Sequence, residues 1–145
     1  MKRLFITLIS CCLLCSCSEN NDNEGCKDTS GLVGTWELTK KEGYEIDGNN
    51  RRDWTDKDAD YSVTYVFDCG NTGKFKYFDG SNGQSTIKWE YNSGEKLLKV
   101  TDIETNDVST YKVNSISATT LVLIEHIIQS EYDYEYYNKE TYSKK

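Results

Sequence analysis

After Ser30 the chain is written in short runs whose apolar residues alternate with polar ones, and this period of two constrains the fold more than any other feature. YSVTYVF places Tyr61, Val63, Tyr65 and Phe67 on one side, and STIKWEY places Ile87, Trp89 and Tyr91 on one side with Lys88 and Glu90 on the other. Such alternation belongs to strands with one buried face, and no segment of useful length shows a helical period. VGTWELTKK, KFKYF, KLLKVTDI, DVSTYKV, TTLVLIEHII and EYDYEYYNKETY complete a set of eight strands. The turns between them, Cys69 to Gly73, Asp79 to Gly83 and Asn92 to Gly94, are rich in residues that accept positive φ. The chain has no proline, so none of the strands is barred from a sheet interior. The expected class is all-β, an eight-stranded up-and-down antiparallel β-barrel that closes on itself and so removes both edges. A two-sheet β-sandwich accommodates the same strand count and is the alternative.

The amino terminus has a different logic. Met1, Lys2 and Arg3 precede an apolar stretch from Leu4 to Leu14, the layout of a signal peptide and too short to span a bilayer. Four of the six cysteines fall between Cys11 and Cys17. The segment LCSC resembles a bacterial lipobox, which implies cleavage before Cys17 and lipid on its sulfur; LISC, ending at Cys11, fits the same pattern but leaves a very short signal. Residues 1–16 are then a discarded lipoprotein signal peptide, 17–30 an acidic tether and 31–142 one barrel domain of ordinary size. Attachment to the membrane is through the N-terminal lipid, and two or three acyl chains make a durable anchor. Glu19, Asp22 and Glu24 resemble the acidic signal that sends some Gram-negative lipoproteins to the cell surface, and a plain solvated linker reads equally well. The outer membrane is the expected location, on its periplasmic or its surface side.

Charge and side-chain inventory narrow the chemistry. The formal net charge of −7 disfavours phosphate backbones, so no nucleic acid partner is expected. His126 is the single histidine and reads as a structural or exposed imidazole on a strand. Asp53, Asp56, Asp58 and Asp60 crowd one loop but lack the glycine and terminal glutamate of a calcium loop. Neither a nucleophile elbow nor a phosphate-binding glycine loop is present. Catalytic residues, metal and cofactor are all expected to be absent, and the protein is read as no enzyme. Among eleven tyrosines, Tyr61, Tyr65, Tyr77, Tyr91, Tyr111, Tyr132, Tyr134 and Tyr136 fall at alternating strand positions. Turned inward, they make an interior either packed solid or lined for a small flat ligand.

LVGTWELT resembles the opening motif of the lipocalins, with Gly34 and Trp36 as its Gly-x-Trp. YVFDCGNTGKF and YKVNSISATTLVL resemble the second hairpin and the late strand pair of small bacterial lipocalin-like domains. The likeness runs from Leu32 to about Tyr137. Family members commonly seat a late arginine against the tryptophan; here no arginine follows Arg52, and Lys139 is the nearest cationic substitute. The resemblance implies a plugged end beside Trp36 and an open mouth opposite. In such a barrel the turn bearing Cys69 and the segment bearing Cys26 meet at the plugged end, where an oxidising compartment would join them. The long segment from Tyr44 to Asp60 is then a cap over the mouth. A small hydrophobic or aromatic ligand is the expected cargo, lined by Trp54, Tyr65, Tyr77, Trp89 and Tyr111. The alternative is a non-catalytic scaffold whose loops bind an envelope protein or extracellular polymer.

Overall fold

The structure, a computed structural model, describes residues 28, 30–56 and 61–145. The signal peptide, the lipidation site Cys17, Cys26, Asp58 and Asp60 lie outside the described residues. The strands are β1 Gly34–Asp47, β2 Asn50–Asp56, β3 Ser62–Phe67, β4 Thr72–Phe78, β5 Asn82–Asn92, β6 Leu97–Asp102, β7 Val108–Ile116, β8 Thr120–Gln129 and β9 Tyr134–Lys144. All ladders are antiparallel, in the order β2-β1-β3-β4-β5-β6-β7-β8-β9, and β1 also pairs with β9. Eight strands thus close the barrel, and β2 is an additional one. No described helix is long and apolar enough to cross a membrane.

The ninth strand corrects the reading of Tyr44 to Asp60 as a cap. β1 runs on to Asp47, turns through Gly48 at φ 56°, and β2 returns beside it from Asn50↔Asp47 to Asp56↔Lys41. Charged residues such as Arg51, Arg52 and Asp53 can occupy this strand because it is exposed and is held by its backbone ladder. A bulge between Leu38 and Lys40 in the β1–β9 ladder bends β1. Before the bulge β1 pairs with β3, from Gly34↔Phe67 to Glu37↔Thr64; after it, β1 pairs with β2 instead.

One end of the barrel is packed solid. Trp36, Leu32, Leu98, Leu121 and Leu123 are wholly inaccessible, and Phe67, Ile87, Val113 and Tyr142 nearly so. Leu32 is tied across this floor by its carbonyl, which accepts the Trp36 indole N–H at 2.7 Å. Asp28 anchors the approach, its carboxylate accepting from the Ser30 hydroxyl and from the backbone N–H groups of Ser30, Gly31 and Val33. The cation over the tryptophan is Lys144, whose Nζ lies 5.1 Å from the ring centroid. Lys139, expected there, faces outward and donates to Glu42 at 2.8 Å. The reason is register: Lys144 is the β9 residue paired with Trp36, whereas Lys139 pairs with Glu42 beyond the bulge.

Candidate functional site

At the other end the wall is uneven. β3 to β7 stop at the barrel lip, while β1, β2, β8 and β9 continue as a four-stranded collar. The β7 ladder on β8 ends at Lys112↔Ile124, so Glu125–Gln129 pair with β9 alone. Alternation decides which collar residues face the mouth. Leu121 and Leu123 point into the core, so their register partners Tyr142 and Glu140 share that face. Continuing outward in steps of two, the inner face carries Lys41 with Glu140, then Trp54, Gly43, Asn138 and Glu125, then Glu45, Arg52, Tyr136 and Ile127.

These side chains are joined. The Trp54 indole N–H donates to Asn138 Oδ1 at 3.4 Å, Asn138 Nδ2 donates to Glu140 Oε1 at 3.0 Å, and the buried Tyr142 hydroxyl donates to Glu140 Oε2. Asn138 is only 2% exposed, and this relay satisfies its amide. Lys41 Nζ lies 3.8 Å from Glu140 and 5.8 Å from the Tyr61 ring centroid. Below them the Tyr65 and Tyr111 hydroxyls share a hydrogen bond of 3.1 Å. Gly43 makes room for Trp54: a Cβ there would meet the Tyr137 carbonyl at 2.1 Å and the indole at 3.0 Å.

The electrostatics of the mouth are negative. Burial, and then the charges of Glu125 and Glu140, push the Tyr136 phenol up to about 12. Burial also raises Tyr65 and Tyr142 well above the ordinary tyrosine value, and Tyr61 and Tyr111 less so, with Glu140 adding to each. These phenols therefore stay protonated at neutral pH. Glu125 is itself raised, by burial and then by Glu140, with Lys41 opposing. Ionisation that the folded state resists costs stability. Between the unfolded and the raised folded pKa of Glu125 the folded chain holds more protons, so its contribution falls as pH rises. Glu125→Gln is expected to raise the melting temperature at pH 7 and to leave it unchanged near about pH 3, where both side chains are neutral. Thermal unfolding at the two pH values checks this, and equal gains at both would remove the link to ionisation.

The ligand-lining residues expected from sequence are not gathered at one place. Trp54 is half-buried on the inner face of the collar, its ring 5.5 Å from Tyr136. Tyr111 is half-buried, and Tyr65 lies below it at 4% exposure, 5.7 Å from Tyr142. Tyr77 sits at the lip with its ring over Gly83. Trp89 must be reassigned. Its indole N–H is spent on the carbonyls of Thr72 and Asp68 at the plugged end, and its ring packs against Phe67, so it belongs to the floor. Tyr132, expected on a strand, is in the Ser130–Tyr132 turn and 72% exposed. Lys41, Glu125, Asn138 and Glu140 were not anticipated. Charged and amide residues alternating with tyrosine in YEYYNKETY were the available signal, and they look like a solvated face.

The outer face of the same collar is laced differently. Tyr44 donates to Glu135 at 2.6 Å, His126 Nε2 lies 2.9 Å from the same oxygen, Tyr44 stacks on Tyr137, and the Arg51 guanidinium lies 4.2 Å from the Tyr44 ring centroid. Asp53 takes the Arg51 guanidinium at 2.9 Å rather than lining a calcium loop. Among the described residues no group of three or more His, Cys, Asp or Glu is placed to hold a metal ion.

The architecture is thus a closed antiparallel barrel packed solid beside its Gly-x-Trp strand, a scaffold on which a small ligand can be held. Residues 32–123, more than half of the chain, match the family model of the lipocalin-like domain, and the protein belongs to that family. Lipocalin-like domains are typically binding proteins rather than catalysts. Among solved structures, a lipocalin-like protein from Bacteroides uniformis ATCC 8492 is 15% identical, aligned over 79% of this chain and 99% of that one with a TM-score of 0.48. An uncharacterized protein from Bacteroides eggerthii DSM 20697 is 12% identical over 78% and 98%, with a TM-score of 0.47. Among curated proteins no relative matches.

Proposed function

We propose that this is a lipid-anchored, non-catalytic protein of the outer membrane whose barrel mouth binds a small amphipathic molecule with a hydrophobic or aromatic body. The observation that carries the reading is the contrast between the two ends. Trp36, Phe67, Trp89 and Tyr142 fill the floor, whereas Trp54, Tyr61, Tyr111 and Tyr136 keep accessible ring surface around the relay through Asn138 and Glu140. Rings beside a few fixed polar groups are what an oriented small ligand needs. On this reading lipid on Cys17 holds the plugged end toward the bilayer and the mouth faces away, on the periplasmic or the surface side. Cys69, which is disulfide-bonded and lies in the β3–β4 turn at the plugged end, takes Cys26 as its partner and clamps the tether there.

N-phenyl-1-naphthylamine, a neutral probe that brightens in apolar surroundings, is expected to bind saturably with one site. Trp54→Ala is expected to weaken it about tenfold, the loss of one large ring contact. Absence of saturable binding overturns the reading. That result would favour a second one, in which the exposed Phe78, Ile103, Val108, Ile127, Ile128 and Tyr132 around the open end form a contact face for another envelope protein.

A further inference from the structure

Resting on the mouth being a ligand site, we infer that the molecule it takes is an organic cation: a flat apolar body bearing an ammonium head. Charge comes first. Glu125 and Glu140 face the mouth from β8 and β9 with Lys41 as the cation beside them, while Glu45 and Arg52, paired in register farther out, offset one another. One positive charge thus stands against two negative ones at the depth of the rings. Glu125 is partly buried, yet it makes no hydrogen bond or ion pair among the described residues, and burial, then the Glu140 charge, raises its pKa. A carboxylate kept in that state is a place for a partner.

Hydrogen-bond capacity points the same way. The donors around the relay are engaged: Trp54 N–H on Asn138, the Asn138 amide on Glu140, Tyr142 O–H on Glu140, and one of the Tyr65 and Tyr111 hydroxyls on the other. At the level of Asn138 what remains is acceptor capacity, on the oxygens of Glu125 and the spare lone pairs of Glu140. The uncommitted donors are Lys41 beside Glu140, the Tyr61 hydroxyl and, farther out, Arg52 and the Tyr136 hydroxyl. An anionic head at that level would meet the Glu125 and Glu140 carboxylates, with Lys41 the cation beside them. An ammonium brings three donors and a charge of the right sign.

The third observation is that the mouth already holds such a group. Lys41 places its ammonium between the Glu140 carboxylate and the Tyr61 ring, at 3.8 Å and 5.8 Å. The opposite side repeats the chemistry: Glu125 next to Asn138, the Tyr136 ring two residues along the inner face, and Trp54 tilted 33° to Tyr136, with the exposed Arg52 farther out as the nearest cation on that face. Ring faces attract cations by their quadrupole, more strongly when partly dehydrated.

The test uses three probes with one ring system and different heads: tryptamine, tryptophol and indole-3-acetate, titrated into the protein by calorimetry at pH 7. Tryptamine is expected to bind about tenfold tighter than tryptophol, and indole-3-acetate weakest of the three. Glu125→Gln, which breaks no hydrogen bond among the described residues, is expected to erase most of tryptamine's advantage over tryptophol. Lys41→Gln is expected to tighten tryptamine severalfold, a gain that a damaged fold would not give. If N-phenyl-1-naphthylamine binds but tryptamine is no better than tryptophol, the cation assignment falls and the mouth remains a ligand site. If neither it nor any indole binds, both fall together.

Discussion

Trp36→Ala is expected to remove about 3 to 5 kcal/mol of stability, the largest effect of any single substitution in this domain. The indole is completely buried, so its loss forfeits contacts on all sides and leaves a void that the closed barrel cannot readily collapse. It also strips the Leu32 carbonyl of its donor and leaves the Lys144 ammonium without the ring below it. A domain of this size has only about 5 to 15 kcal/mol in hand, so the variant is expected to be partly unfolded near its working temperature. Urea denaturation gives the number. Trp36→Phe, which keeps a ring but not the N–H, should lose clearly less. A loss below about 1 kcal/mol for alanine would mean that the floor is not the anchor described here.

The next largest effect is expected from the proposed Cys26–Cys69 bond. Cys26→Ser with Cys69→Ser should cost about 3 to 4 kcal/mol by the loop-closure argument for a bridge of this span. The stabilisation acts on the unfolded chain, so the proposed binding of N-phenyl-1-naphthylamine is expected to be unchanged where the protein is folded. Thermal unfolding with and without reductant measures the loss, and peptide mapping without reductant identifies the pair. A cross-linked peptide joining Cys69 to any other cysteine would overturn the clamp between tether and floor.

Much of this architecture can be read directly from residue order. In YSVTYVF the alternation is literal, and Val63, Tyr65 and Phe67 are buried while Ser62 is exposed. Gly34 and Trp36 mark the first strand, and the positive φ of Gly70, Asn71 and Gly80 falls in turns that their residue types announce. The unread parts have physical causes. β2 has no apolar period because it is an exposed edge strand, and NRRDWTD therefore looks like a loop. The bulge at Thr39 reverses the parity of β1, so Tyr44 faces out and Lys41 faces in, contrary to simple counting from Trp36. The seat over Trp36 passes to Lys144 through a register that no local pattern encodes. The polar half of the mouth is not legible because Asn138 is buried, and Glu140 part-buried, among partners from β2 and β9, and burial of that kind leaves no composition signal.

The place of β9 between β8 and β1 has a kinetic corollary. Its pairing with β1 joins segments separated by nearly the whole domain, so the ring cannot shut until β9 has been made and docked. Until then the chain is an open curl with two unsatisfied margins, and the costliest closure is saved for the end of the pathway. Folding on the millisecond-to-second scale, typical of such non-local β topologies, follows from that order of events.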